Sequence, residues 1–288
     1  MIKKHLLICF LLCGFLSSAQ NELEKEIVGV YQKRQGPDDF TMVVIFPDHR
    51  YIVGYFGGMQ KGIWKMEGDF VSLTQETEPA FVLYGRKRKS FGEKTTISYN
   101  VEASNRVLVN WESTANPSFV PVFNEGANCF SYPYVQSLKQ EVQELKLTQL
   151  RQDYAGRTQD KSEIFQFKNP EAFNELLLIN LSSQYTRGKT QKLLFKEEEL
   201  FLSPDGDGIA KRALESLTKE DKDFISHFSK NSLFKEELRR GEEFFPYYEN
   251  PKPEEAQVFH RISVNKKGSQ SMPKVKKTSL FIAECEKN

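Results

Sequence analysis

Ser203-Pro204-Asp205-Gly206-Asp207-Gly208 is the densest run of residues with an obvious chemistry. Two carboxylates set among glycines can offer oxygen ligands to Ca²⁺, a hard cation. Asp205 and Asp207 are therefore the candidate metal ligands. An EF-hand loop needs further oxygen ligands and a closing glutamate, and Ile209-Ala210-Lys211-Arg212 follows instead. The competing reading is a tight turn in which Asp207 caps a following helix.

Cys129 and Cys285 could pair in an oxidising compartment. Two separate buried thiols are the alternative, and residue types alone leave both open. No C-x-x-C occurs, which removes zinc ribbons and thioredoxin-like redox chemistry. His49, His227 and His260 never stand three to five residues apart, so no histidine pair holds a metal from one helix. There is no G-x-S-x-G elbow and no glycine-rich phosphate loop of either common kind. No catalytic residue and no cofactor is assigned on these grounds. The 39 acidic residues leave a carboxylate pair for glycoside hydrolysis open, since separation in space decides that. Arg86-Lys87-Arg88-Lys89 could meet an anionic partner, but a solvated hairpin tip is the plainer reading of one basic run.

The chain has 288 residues, 40 Lys+Arg against 39 Asp+Glu, and a net charge of +1. Its mean hydropathy is −0.53. That balance argues against a polytopic membrane protein, a disordered chain and a general nucleic-acid binder. Lys3-Lys4-His5, the apolar run Leu6 to Phe15 and the small residues Ser17-Ser18-Ala19 form a secretory signal over residues 1–19. The apolar run is too short to span a bilayer. Leu12 stands where a lipobox before Cys13 wants a small residue, so a soluble exported protein, periplasmic or secreted, is expected. Loss of Lys3 and Lys4 leaves 38 basic against 39 acidic residues, a mature charge of −1.

Short strands separated by turns every 8–12 residues fill Ile27 to Phe123, the signature of an antiparallel barrel or sandwich. Val135, Leu138, Val142 and Leu145 recur at steps of three and four, which predicts an amphipathic helix from Tyr134 to Asp153. Gly156 to Asp160 reads as a linker. Four strand-like runs then precede a helical stretch from Asp207 to Arg240, with Thr218 and Asp221 as its capping pair. Two strands close the chain. The fold class is mainly β plus α+β. The expected order is a signal (1–19), a lipocalin-like barrel (20–128), a connecting helix and linker (129–160) and an α+β domain (161–288).

Ile27-Val28-Gly29-Val30-Tyr31 is followed by Ile45-Phe46-Pro47-Asp48-His49-Arg50-Tyr51 and then by Gly62-Ile63-Trp64-Lys65-Met66-Glu67-Gly68-Asp69. That order resembles bacterial lipocalin-like barrels. Such modules begin with a Gly-x-Trp or Gly-x-Tyr strand. A strand ending in an Asp-Gly-x-Tyr turn comes next, then a Gly-x-Trp strand before a Gly-Asp turn. The small N-terminal barrel of the copper-homeostasis envelope lipoproteins is similar in this way. Here His49 stands where that turn usually has glycine, and the cysteine pair of those lipoproteins is absent, so copper handling is not carried over. The resemblance spans residues 27–123. It implies a closed barrel able to hold a small apolar ligand. Tyr31, Tyr51, Tyr55 and Trp64 could line such a cavity or fill a small barrel.

The expected function is noncatalytic: an exported protein that binds a small apolar ligand or an envelope partner. The alternative is an exported hydrolase that uses carboxylates on glycans. The aromatic run Phe244-Phe245-Pro246-Tyr247-Tyr248 could be a partner patch if exposed.

Overall fold

The computed structural model describes residues 22–285 apart from 35–39, 57, 102–105, 113–117, 151–160, 182–185, 187, 204, 233, 243, 247–257 and 272. The signal assigned to residues 1–19 and the linker at 156–160 lie outside the described residues.

In chain order the first strands are β1 (Gly29–Arg34), β2 (Phe40–Ile45), β3 (Arg50–Tyr55), β4 (Gly58–Glu67), β5 (Phe70–Gln75) and β6 (Phe81–Arg86). Next come β7 (Thr95–Val101), β8 (Val107–Asn110), β9 (Val120–Pro121), β10 (Tyr134–Leu138), β11 (Glu144–Gln149), β12 (Lys161–Lys168) and β13 (Glu175–Asn180). Then follow β14 (Thr190–Lys196), β15 (Glu199–Phe201), β16 (Gly208–Arg212), helix α1 (Lys219–Lys230), β17 (Glu237–Arg239), β18 (Val258–Ile262) and β19 (Val264–Ser271). The protein is mainly β. Among the described residues no helix is long and apolar enough to cross a membrane.

The chain forms two compact units, and each is made of two separate stretches. One holds Met1–Thr77 with Arg187–Ser232; the other holds Glu78–Thr186 with Leu233–Asn288.

The first unit is a closed eight-stranded antiparallel barrel, β1-β2-β3-β4-β5-β14-β15-β16, with β16 returning to pair with β1. It is an up-and-down meander interrupted once, after β5. Alternation along the strands sends one side chain in and the next out. Tyr31, Val43, Tyr51, Trp64, Leu73 and Phe195 share the interior cluster. The outer face of β1, β2 and β3 is also apolar, through Val30, Val44 and Ile52, and α1 covers it with Ile225 and Phe228. Thr218 caps α1 as expected: its Oγ1 accepts the Asp221 N–H at 3.1 Å. Helix formation starts only there, because β16 and a 3-10 turn at Leu214–Ser216 occupy the preceding residues.

The second unit is a pair of sheets, β10-β7-β13-β6-β18-β17 and β19-β12-β11-β8-β9. Side chains from both sheets, among them Phe81, Leu178, Val109, Leu147 and Phe165, form one cluster. Phe81 and Phe165 meet edge-on, with centroids 5.1 Å apart. The six-stranded sheet is also covered on its other face, where Phe234 and Phe245 pack on its own Val82, Tyr84, Leu177, Ile179, Leu238 and Phe259. That is why β6 and β13 are buried along their whole length. Such strands do not suit a barrel wall with one wet face, so β6 to β9 leave the barrel in which the sequence had placed them.

The helix expected from Tyr134 is instead β10 and β11. Leu145 and Leu147 are buried on one face while Glu144 and Lys146 are not, a period of two. The three-and-four spacing of Val135, Leu138, Val142 and Leu145 spans the turn between two strands. The C-terminal segment then runs beside residues 119–129, with parallel bridges Phe119↔Val275 and Phe123↔Phe281.

Candidate ligand site

The barrel interior was the first place to look for a ligand. Tyr31, Tyr51 and Trp64 all point into it and are nearly fully buried. The polar ends of Tyr31 and Trp64 are taken up by the protein itself. The Tyr31 hydroxyl donates to the Ile27 carbonyl at 2.7 Å. Burial first, and the Glu198 charge second, hold that hydroxyl above the ordinary tyrosine range. Burial pushes the Tyr51 hydroxyl up to about 12. Trp64 Nε1 donates to the Phe46 carbonyl at 2.9 Å, and the His49 ring lies 4.8 Å from the indole. His49 has φ 60°, the conformation that favours glycine at this turn position. Tyr55 is half-buried at the end of β3. Its ring lies over Gly58, where a Cβ would come within 2.8 Å of it. These aromatics pack as a barrel core.

Asp205 and Asp207 are both exposed. Asp207 pairs with Lys33 at 3.3 Å, and the Gly206 N–H donates to the Ser203 carbonyl at 3.1 Å. Among the described residues no group of three carboxylate, histidine or thiol ligands comes together. The loop leads into strand β16, so Asp207 caps no helix.

The basic run is half absorbed. Arg86 is buried and paired with Glu175, and Arg88 lies over the Phe91 ring at 4.8 Å. Lys87 and Lys89 remain exposed. The solvated-tip reading therefore holds for two of the four residues only.

Cys129 and Cys285 form a disulfide, with Cα atoms 5.0 Å apart. It fastens the C-terminal segment beside the β9 region. Asn124 helps: its Oδ1 accepts the Ala283 N–H at 2.8 Å. Phe281 is thereby seated among Phe123, Tyr134 and Tyr99, with centroid distances of 6.2, 5.0 and 5.6 Å.

Next to this aromatic cluster, in the second unit, lies a concavity of about 490 Å³. That volume is ordinary for a small-ligand site. Tyr132, Pro133 and Tyr134 supply one part of its wall, at the entry to β10. Phe244, Phe245 and Pro246 supply another, beyond β17. Ser98 and Leu177, register partners on β7 and β13, lie at its sheet side with Tyr99 and Asn100. The tyrosine hydroxyls are tied down. Tyr99 donates to Gln136 Oε1 at 2.6 Å, Tyr132 donates to the Val101 carbonyl at 2.8 Å, and Tyr134 accepts the Ser131 N–H at 3.0 Å. Burial holds the Tyr99 hydroxyl far above its usual range. What the wall offers is therefore mostly rings. The described residues of its lining include no carboxylate, histidine or thiol.

Phe244 has φ 69°, a left-handed conformation that a bulky residue adopts only under constraint. The Phe234 ring at 5.3 Å helps to hold it. The sequence left Phe244 to Tyr248 as a partner patch if exposed, or as a run buried against the C-terminal strands; Phe245 is buried against Phe259, and Tyr247 and Tyr248 lie outside the described residues. The reading of the sequence passed over Tyr132-Pro133-Tyr134. The density of aromatics from Phe130 to Tyr134 was the available signal, hidden under the helical periodicity assigned there.

Compared with protein-family models, with curated proteins and with solved structures, the chain matches none.

Proposed function

We propose that this is an exported, noncatalytic binding protein whose ligand site is the aromatic concavity of the second unit. The observation that carries the reading is the contrast between the two candidate interiors. In the barrel Tyr31, Tyr51, Trp64 and Phe195 pack into one buried cluster, whereas the concavity at Tyr132 and Phe244 is open and its described lining is uncharged. An apolar pocket with a few polar groups is the usual form of a small-molecule site. The Cys129–Cys285 bond supports export, because disulfides persist in oxidising compartments. Among the described residues of this lining there is no carboxylate pair of the kind the glycan-hydrolase alternative needs.

Amide chemical-shift mapping with a library of neutral small fragments tests the site. Shifts should cluster at Ser98, Asn100, Tyr132 and Phe244. Shifts confined to barrel residues, or none with any fragment, would overturn the proposal.

A further inference from the structure

We infer that the concavity takes a neutral saccharide, stacked on Tyr132 and hydrogen-bonded at Asn100; this rests on the reading that the concavity is a ligand site. The described residues of its lining carry no charged side chain, so none of them would select an ionised ligand. Tyr132 is 53% exposed and stands half out of the wall. Its ring is nonetheless held in place, by the hydroxyl bond to Val101 and by the edge-on Tyr134 ring 5.0 Å away. A fixed aromatic face that is reachable from solvent suits the polarised C–H face of a pyranose, because the ring's π-face carries negative potential. Fixing the platform in advance also lowers the ordering cost of binding.

Asn100 adds the second requirement. It is exposed, lines the same concavity, and its side chain makes no hydrogen bond to another described residue. A primary amide offers two donors and an acceptor at once, the set that vicinal hydroxyls use. An acyl chain would have no use for that amide and would need walls on every side, since such sites bury most of their ligand. Phe244, at φ 69°, adds a strained ring to the same lining, and strain of this kind gathers at ligand clamps.

The test is isothermal calorimetry on the full mature chain with neutral tetrasaccharides of glucose, mannose, galactose and N-acetylglucosamine, and with N-phenylnaphthylamine as an apolar probe. At least one saccharide should bind. Tyr132→Ala should weaken it at least tenfold and Asn100→Ala severalfold. Tyr132→Phe, which keeps the ring, should stay within about threefold of wild type. Unchanged melting temperatures would show that each variant is folded. A saccharide that binds equally well to wild type and Tyr132→Ala overturns the inference. Binding of the apolar probe alone overturns the ligand class but leaves the site standing. Failure of every probe to bind removes both.

Discussion

Arg86 and Glu175, register partners on β6 and β13, form a two-point ion pair inside the second unit. Nε meets Oε2 at 2.6 Å and Nη2 meets Oε1 at 2.9 Å. The residues are 4% and 3% exposed, and the guanidinium lies 4.3 Å from the Phe259 ring centre. Phe245, edge-on to Phe259 and 6.0 Å from the same guanidinium, also lines the candidate ligand site.

Removing one charge leaves the other buried and unmatched. Glu175→Gln should cost about 3–5 kcal/mol in urea unfolding. The double variant Arg86→Met, Glu175→Leu should recover only part of that loss, because the largely buried Arg88, 3.6 Å from Glu175 Oε1, still loses that carboxylate. Equal destabilisation by both would show that shape at this position, and not charge, is what matters.

The disulfide closes a separation of 156 residues. Restricting so long a loop in the unfolded chain is worth about 2–5 kcal/mol. Cys129→Ser with Cys285→Ser should lower the denaturation midpoint accordingly, and non-reducing peptide mapping should recover the linked peptides from wild type. A double variant as stable as wild type would contradict this.

Alkaline pH should unfold the protein before its buried tyrosines titrate. Burial raises the hydroxyls of Tyr31, Tyr51, Tyr84 and Tyr99, with Tyr51 and Tyr84 each at about 12. An unfolded tyrosine loses its proton near 10. Above that pH the unfolded chain binds fewer protons than the folded one, so stability falls as pH rises from about 10 towards 12. Tyrosinate absorbance should therefore rise in two stages, the second coinciding with loss of the far-ultraviolet β signal. A single smooth titration with the fold intact would exclude the effect.

Gly62→Ala should destabilise the barrel by about 1–3 kcal/mol, read from the melting temperature. A Cβ at this position would lie 2.0 Å from the Thr74 carbonyl oxygen and 2.9 Å from the Glu76 nitrogen, both backbone atoms. Gly68, at φ 66° with open space around it, is the contrast. Alanine there strains only the backbone. A Gly62→Ala protein that melts with wild type would mean that β4 and β5 separate readily.

Turn residues every 8–12 positions made the strands of the first unit legible, among them Asp48-His49 and Gly68-Asp69. The resemblance to lipocalin-like barrels is what turned Tyr31, Tyr51 and Trp64 towards an interior. Where the barrel's remaining strands come from did not follow. Leu193, Phe195 and Leu200 look like any apolar residues of a strand, and only pairing in space assigns them to β5 and β16. The Tyr134–Gln149 stretch misled for a related reason: the connection from a strand of one sheet to a strand of the other can reproduce helical spacing by chance. The ligand site drew on segments far apart in sequence, near residues 98, 132, 177 and 244, which no local pattern links.

The route of the chain through its two units sets an order of events for folding. β1 cannot find its partner until β16 exists, because Val30 pairs with Arg212. The whole first stretch of the second unit is threaded between them. A polypeptide halted after residue 186 would own five barrel strands with open edges at β1 and β5, a template for association with its neighbours. Closure over so long a separation is slow. Until β14 to β16 follow, the five early strands keep both of those edges unpaired.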